Sequence, residues 1–106
     1  MTTAVVAGAD PDGLGEALED EGATVVRVTG IASADSLGEA GIEDADLLVL
    51  TDMDDATAIA VAKELNPDVR VVTYAYDTLP EFAKGQADLA IDPNLLAVDV
   101  VAEELV

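Results

Sequence analysis

Six aspartates, Asp10, Asp12, Asp52, Asp54, Asp77 and Asp92, stand within a few residues of the end of a short apolar run. Hard carboxylate oxygens that converge on one pocket are what Mg²⁺ takes as ligands, and Asp10, Asp12 and Asp52 are the candidate metal ligands. The plainer use of such acids is capping. Asp54 or Asp55, Asp77 and Asp92 are placed as helix N-caps, each worth about 1 kcal/mol. The second candidate is the turn Gly8-Ala9-Asp10-Pro11-Asp12-Gly13-Leu14-Gly15. Dinucleotide sites use glycines where the turn is tight, the backbone approaches a pyrophosphate and a helix packs close to a strand. Gly8, Gly13 and Gly15 lie in the right region, but their spacing is not GxGxxG, and Asp10 and Asp12 bring negative charge where phosphate oxygens would sit. Thr29 and Gly30 occupy the place of a ribose-binding acid. In the plainer reading the glycines shape a turn and seat a helix. With no His and no Cys, a general base would have to be a carboxylate, Lys63, Lys84, Tyr74 or Tyr76. The two tyrosines are placed either to stack on an adenine or to fill the end of a sheet. The lysines fall in helices, where surface pairing is expected.

These residues need strands and helices to hold them. Thr3 to Ala7 is the first predicted strand, followed by a helix from about Asp12 to Glu21 with Leu14, Ala17 and Leu18 inward and Gly22 as its stop. Thr24 to Val28 is the second strand, and Ser33 caps a short helix that Gly41 ends. Asp46 to Thr51 is the third strand. Its core Leu47 to Leu50 is an unbroken apolar run of the kind buried on both faces of a parallel sheet. Asp54 or Asp55 starts a helix that reaches Leu65, with Ala58, Ile59, Ala62 and Leu65 inward. Val69 to Tyr74 is the fourth strand. Thr78-Leu79-Pro80-Glu81 has the spacing of a capping box, opening a helix that ends at Gly85. Ala87 to Ile91 is the fifth strand, and Asp92-Pro93 opens a last helix from about Asn94 to Leu105. Five alternations of strand and helix predict an α/β three-layer sandwich. Its five-stranded parallel sheet is Rossmann-like or flavodoxin-like, in the order 2-1-3-4-5. Open sheets of this kind place ligands beyond the carboxyl ends of their strands, where the order reverses. Residues 1–106 form one expected domain.

The balance of 23 Asp and Glu against 4 Lys and Arg gives a net charge of −19. Four scattered basic residues cannot neutralise a phosphate backbone, which excludes nucleic acid as a partner. The acids are spread along the chain rather than gathered in a tail. This favours a surface adapted to high salt, where a screening length of about 3 Å at 1 M removes most self-repulsion. No apolar run approaches the roughly 18 residues of a membrane helix, and the start of the chain has no signal-peptide pattern. Membrane insertion is not expected, and the expected location is cytoplasmic. The last helix has apolar residues on more than one face: Leu95, Val98 and Val101, but also Leu96 and Val100. It is either a well-covered core helix or a surface for self-association as a homodimer.

From Ala40 onward, AGIEDADLLVLTDMDDATAIAVAKELNPDVRVV and then GQADLAIDPNLLAVDVVAEEL resemble the N-terminal nucleotide-binding domain of potassium-channel and potassium-transporter regulators, the TrkA-N or RCK family. The shared features are AGIEDAD before the strand, acids after its Thr, AKEL closing the helix, and Ala-Asp before a strand that ends at a proline. The resemblance implies a Rossmann-like fold, pairing as dimers, and binding of NAD(H) or another adenine nucleotide. Gly8 and Gly15 would then be the outer glycines of the fingerprint, with Thr51 and Asp52 lining the cleft. A second resemblance is to response-regulator receivers. These have the same strand order, two acids after strand one that hold Mg²⁺, and an Asp ending strand three that accepts phosphate. A receiver also needs a Lys after strand five to balance the phosphoryl charge, and here that place is taken by Asp92. The leading expectation is a non-catalytic, nucleotide-sensing regulatory module read by a protein partner. The alternative is a degenerate receiver-like interaction domain with a cation-binding acidic pocket and no nucleotide. An enzyme of nucleotide metabolism such as a CTP synthetase comes third, with no glutaminase Cys or His and no phosphate-binding Lys motif to support it.

Overall fold

Runs of Val, Leu, Ile and Ala become the five strands of one parallel sheet in the computed structural model, which describes residues 2–8, 13–28, 33–51, 57–75 and 87–106. The strands are β1 (Thr3–Ala7), β2 (Thr24–Val28), β3 (Leu47–Leu50), β4 (Arg70–Tyr74) and β5 (Leu89–Ile91). Their order is β2-β1-β3-β4-β5, as the alternation of elements predicts. The described helices are α1 (Leu14–Asp20), α2 (Ala34–Glu39), α3 (Ala58–Leu65) and α4 (Val98–Leu105), with a 3₁₀ turn at Ile42–Asp44.

The two faces of the sheet follow from the two-residue period of a strand. Val5, Ala7, Leu48, Leu50 and Val71 face a core closed by Leu37 of α2, Ile42 of the 3₁₀ turn, and Ala58, Ile59 and Ala62 of α3. Ala4, Val6, Leu47, Val49, Val72 and Tyr74 face a second core closed by Leu14 and Leu18 of α1 and by Val101, Ala102 and Leu105 of α4. Helices therefore cover both faces, giving the α/β sandwich of the flavodoxin-like type.

Several boundaries differ from those predicted, each for a local reason. Helix α1 begins at Leu14 rather than near Asp12, because Gly13 takes a left-handed conformation (φ 74°) that no helix interior contains. Helix α4 begins at Val98 rather than Asn94. Asp92 closes a separate turn instead, its Oδ1 accepting the Asn94 N–H at 2.8 Å and its carbonyl accepting that of Leu95 at 2.9 Å. Ser33 caps α2 as expected, in a reciprocal box with Ser36. The predicted cap of α3 at Asp54 or Asp55, and the helix expected over Thr78 to Gly85, lie outside the described residues.

Candidate functional site

The reversal of strand order falls between β1 and β3. Their carboxyl ends are joined where Thr51 N–H donates to the Ala7 carbonyl at 3.1 Å, with Thr51 Oγ1 donating to the same oxygen at 3.3 Å. Gly8 and Thr51, far apart in sequence, are thus neighbours at the sheet's carboxyl edge. The Thr51 hydroxyl points back at the backbone of β1. Gly8 has φ 97°, a conformation that favours glycine as the chain leaves the strand. Across the turn, the Gly13 carbonyl accepts the Ala17 N–H at 3.0 Å and opens α1. Gly15 is buried, and its missing side chain has a structural use. A Cβ there would come within 2.7 to 2.9 Å of the Arg27 guanidinium, which lies across the helix from β2 and reaches Glu19 at 3.9 Å.

Ala9, Asp10, Asp12, Thr29 and Asp52 lie outside the described residues, as do Asp54, Asp77, Tyr76 and Lys84. The convergence of Asp10, Asp12 and Asp52 on one cation, and the Thr29 and Asp52 walls of a nucleotide cleft, therefore rest on the sequence. Among the described residues, no group of three or more His, Cys, Asp or Glu side chains is placed to hold a metal ion. Asp92, the remaining acid of the rim, is engaged in its own turn.

Tyr74 takes the second of its two expected places and fills the end of the sheet. It is only 3% exposed, packed within the core that α1 and α4 close, and its hydroxyl donates to the Leu96 carbonyl at 2.8 Å. Its ring ties the turn after β5 to the end of β4 and is not available to an adenine. Lys63 makes the expected surface pair, donating from Nζ to Asp88 Oδ2 at 2.8 Å and also to the Val69 carbonyl at 2.8 Å. The hydrogen bond from Lys63 and a second from the Val71 N–H hold the Asp88 carboxyl below its ordinary value.

Sequence reasoning did not single out Asp46 and Asp88, which play one role twice. Asp46 donates its N–H to the Thr3 carbonyl at 2.8 Å while its Oδ2 accepts the Thr3 N–H at 2.8 Å. Asp88 donates to the Val71 carbonyl at 2.9 Å while its Oδ2 accepts the Val71 N–H at 2.8 Å. Each side chain takes the place of a ladder carbonyl at the start of a strand. The signal was present: Ala-Asp-Leu occurs at 45–47 and again at 87–89.

A surface feature lies beside this edge. Leu95, Leu96 and Val100 are 79%, 43% and 40% exposed, while Val101, Ala102 and Leu105 of the same segment are buried. The turn before α4 and the helix itself are thus not fully covered: Leu95 and Leu96 of the turn and Val100 of the helix face solvent.

The profile of a family of unknown function, DUF7126, matches residues 4–105. No curated protein matches the chain. Solved structures similar in fold include a protein of Burkholderia pseudomallei described as pilus assembly-related, with a TM-score of 0.69 and 19% identity over 99% of this chain and 89% of that one. An orphan response regulator of H. pylori aligns with a TM-score of 0.75 and 14% identity, over 98% of this chain and 92% of that one. A chain from the complex of the histidine kinase ThkA with the response regulator TrrA aligns with a TM-score of 0.72 and 15% identity, over 100% of this chain and 99% of that one. At such identities these likenesses establish the fold alone. They agree with the receiver resemblance and lend no support to the TrkA-N resemblance, because neither the family profile nor these structures are of that kind.

Proposed function

The chain belongs to the DUF7126 family, whose function is unknown, and from that premise we propose that it is a receiver-like protein-interaction domain that works without phosphoryl transfer. The observation that carries this reading is the pairing of a receiver's strand order with Asp92 after β5. A lysine there would balance a phosphoryl group on Asp52. A carboxylate repels one, and this carboxylate already holds the Asn94 N–H. The partner-facing surface in this reading is the turn after β5 together with α4. A chain of net charge −19 has little reason to expose Leu95, Leu96 and Val100 unless another surface meets them. One structure similar in fold comes from a complex of a response regulator with a histidine kinase, which supports a protein as the partner class. Asp10, Asp12 and Asp52 enter it as loose ligands for a divalent cation such as Mg²⁺. Binding of NAD or another adenine nucleotide finds no support in the comparisons.

Thermal melts in molar KCl separate these readings. NAD, NADH, ATP, AMP and CTP are expected to leave the transition in place, and Mg²⁺ to raise it. A phosphoryl donor is expected to leave no phosphate on the chain. A nucleotide at 100 times its Kd would add about 2.7 kcal/mol, and such a shift would overturn the proposal in favour of nucleotide sensing. A photo-crosslinking residue at Leu95 is expected to capture a protein, or a second copy, where one at Glu64 on the far side of the sheet does not. Equal capture from both positions, or from neither, would remove α4 as the partner surface.

A further inference from the structure

We propose that the outer edge of β2, with the groove between it and α2, takes up an extended basic segment of another protein as an added strand. β2 ends the sheet, and no described strand lies beyond it. Thr24 N–H donates to the Thr2 carbonyl at 2.8 Å, and Thr24 to Val28 run in register with Thr3 to Ala7. Backbone groups of successive residues point to opposite sides of a strand. The N–H and carbonyl of Val25 therefore face away from β1.

Beside this edge lies a groove of about 210 Å³, lined by Val26, Val28, Ser36, Glu39 and Ala40, with Arg27 contributing from the strand. An added strand would run about 4.8 Å from β2, and its side chains on the α2 side would fall into this space. Its lining mixes the apolar side chains of Val26, Val28 and Ala40 with the polar Ser36 and the acidic Glu39. The Arg27 guanidinium is on the other face of the sheet, against Gly15 and Glu19.

Charge selects the occupant. Exposed Asp35, Glu39, Glu43 and Asp44 lie on α2 and the turn after it, and no lysine or arginine occurs between Arg27 and Lys63. A second copy of the chain would bring its own −19 to this edge and is disfavoured. A basic segment rich in β-branched residues is complementary both to the edge and to the groove.

The test uses the intact chain and three capped synthetic peptides: alternating Lys-Val, alternating Glu-Val, and alternating Lys-Pro, which carries the charge but cannot pair as a strand. Amide hydrogen exchange at Val25 is the readout. With the Lys-Val peptide at about ten times its Kd, exchange there is expected to slow roughly tenfold, in proportion to the occupied fraction. The other two peptides are expected to leave it unchanged. Val25→Pro removes the outward donor at an edge position that tolerates proline. Glu39→Lys reverses the rim charge at an exposed helix position, so it tests the proposal even where Val25→Pro does not fold. Glu39→Lys is expected to weaken binding by about tenfold. The proposal is overturned if the Lys-Val peptide gives no protection at Val25, if the Lys-Pro peptide binds as tightly, or if Glu39→Lys binds undiminished.

Discussion

The side chain of Asn66 holds distant segments together. Its Nδ2 donates to the carbonyls of Ile42 and Ala45, at 2.9 and 3.0 Å, and its Oδ1 accepts the Asp68 N–H at 3.1 Å. One amide thus ends α3, opens the turn before β4 and fastens the 3₁₀ turn before β3. Asn66→Ala would leave two carbonyls of buried residues without these donors. It is expected to cost about 2–3 kcal/mol, or roughly 10 °C or more in Tm for a domain of this size, read by thermal denaturation. Tyr74→Phe is a milder change, since it keeps the ring in the core and removes the hydrogen bond to Leu96. Its expected cost is about 1 kcal/mol. Amide exchange should rise through residues 94–97, and a variant with unchanged exchange there would show that the hydroxyl does not hold this turn.

At the scale of elements, the two Ala-Asp-Leu strand starts explain acids that composition alone would assign to the surface. The Asp88 start is further tied to α3 by Lys63. Both partners are partly exposed, with side chains 28% and 42% accessible for Lys63 and Asp88, so the ion pair itself contributes under about 1 kcal/mol. Its pH dependence has a definite sign. Asp88 has a folded-state pKa below its ordinary value of 3.8. Its contribution is therefore full above that value and is lost as pH falls through the lower, folded value. Asp88→Asn is expected to flatten the acid limb of stability against pH below about 4 and to leave the neutral-pH shape of the curve alone. A variant with the same acid limb as the parent would contradict this. The elements themselves were largely legible in the sequence, β1 and β2 to the residue: β1 is buried between two helical layers and is therefore apolar almost throughout, while β2, at the edge, keeps Val25, Val26 and Val28 beside the exposed Thr24 and Arg27. The start of α4 was not. Asp92-Pro93 satisfies the local rule for a helix N-terminus, yet the chain turns there once and begins the helix at Val98, where Val101, Ala102 and Leu105 reach the core.

For the whole molecule, charge outweighs every other surface property. A net charge of −19 spread over 106 residues opposes compaction in dilute buffer, and added salt screens that repulsion over about 3 Å at 1 M. Stability is expected to rise steadily from low salt to molar KCl, as followed by urea denaturation at each salt concentration. A midpoint that does not move would mean that the acids are already balanced within the fold. No helix among the described residues is long and apolar enough to cross a membrane. The same charge favours basic partners at the two proposed surfaces, the turn after β5 with α4 and the edge of β2.

What the sequence determined by itself was the class and order of the sheet, because the two-residue and 3.6-residue periods and the handedness of parallel crossovers leave few arrangements. It also marked Gly8 and Thr51 as residues of the carboxyl edge. Only the tertiary structure decided which groups have other work: the Thr51 hydroxyl turned to Ala7, Gly15 making room for Arg27, Tyr74 bonded to Leu96, and Asp46 and Asp88 closing strands. The reason is physical. Periodicity is a property of neighbours along the chain, whereas a side chain's hydrogen-bond partner is chosen from atoms that only folding brings within about 3 Å.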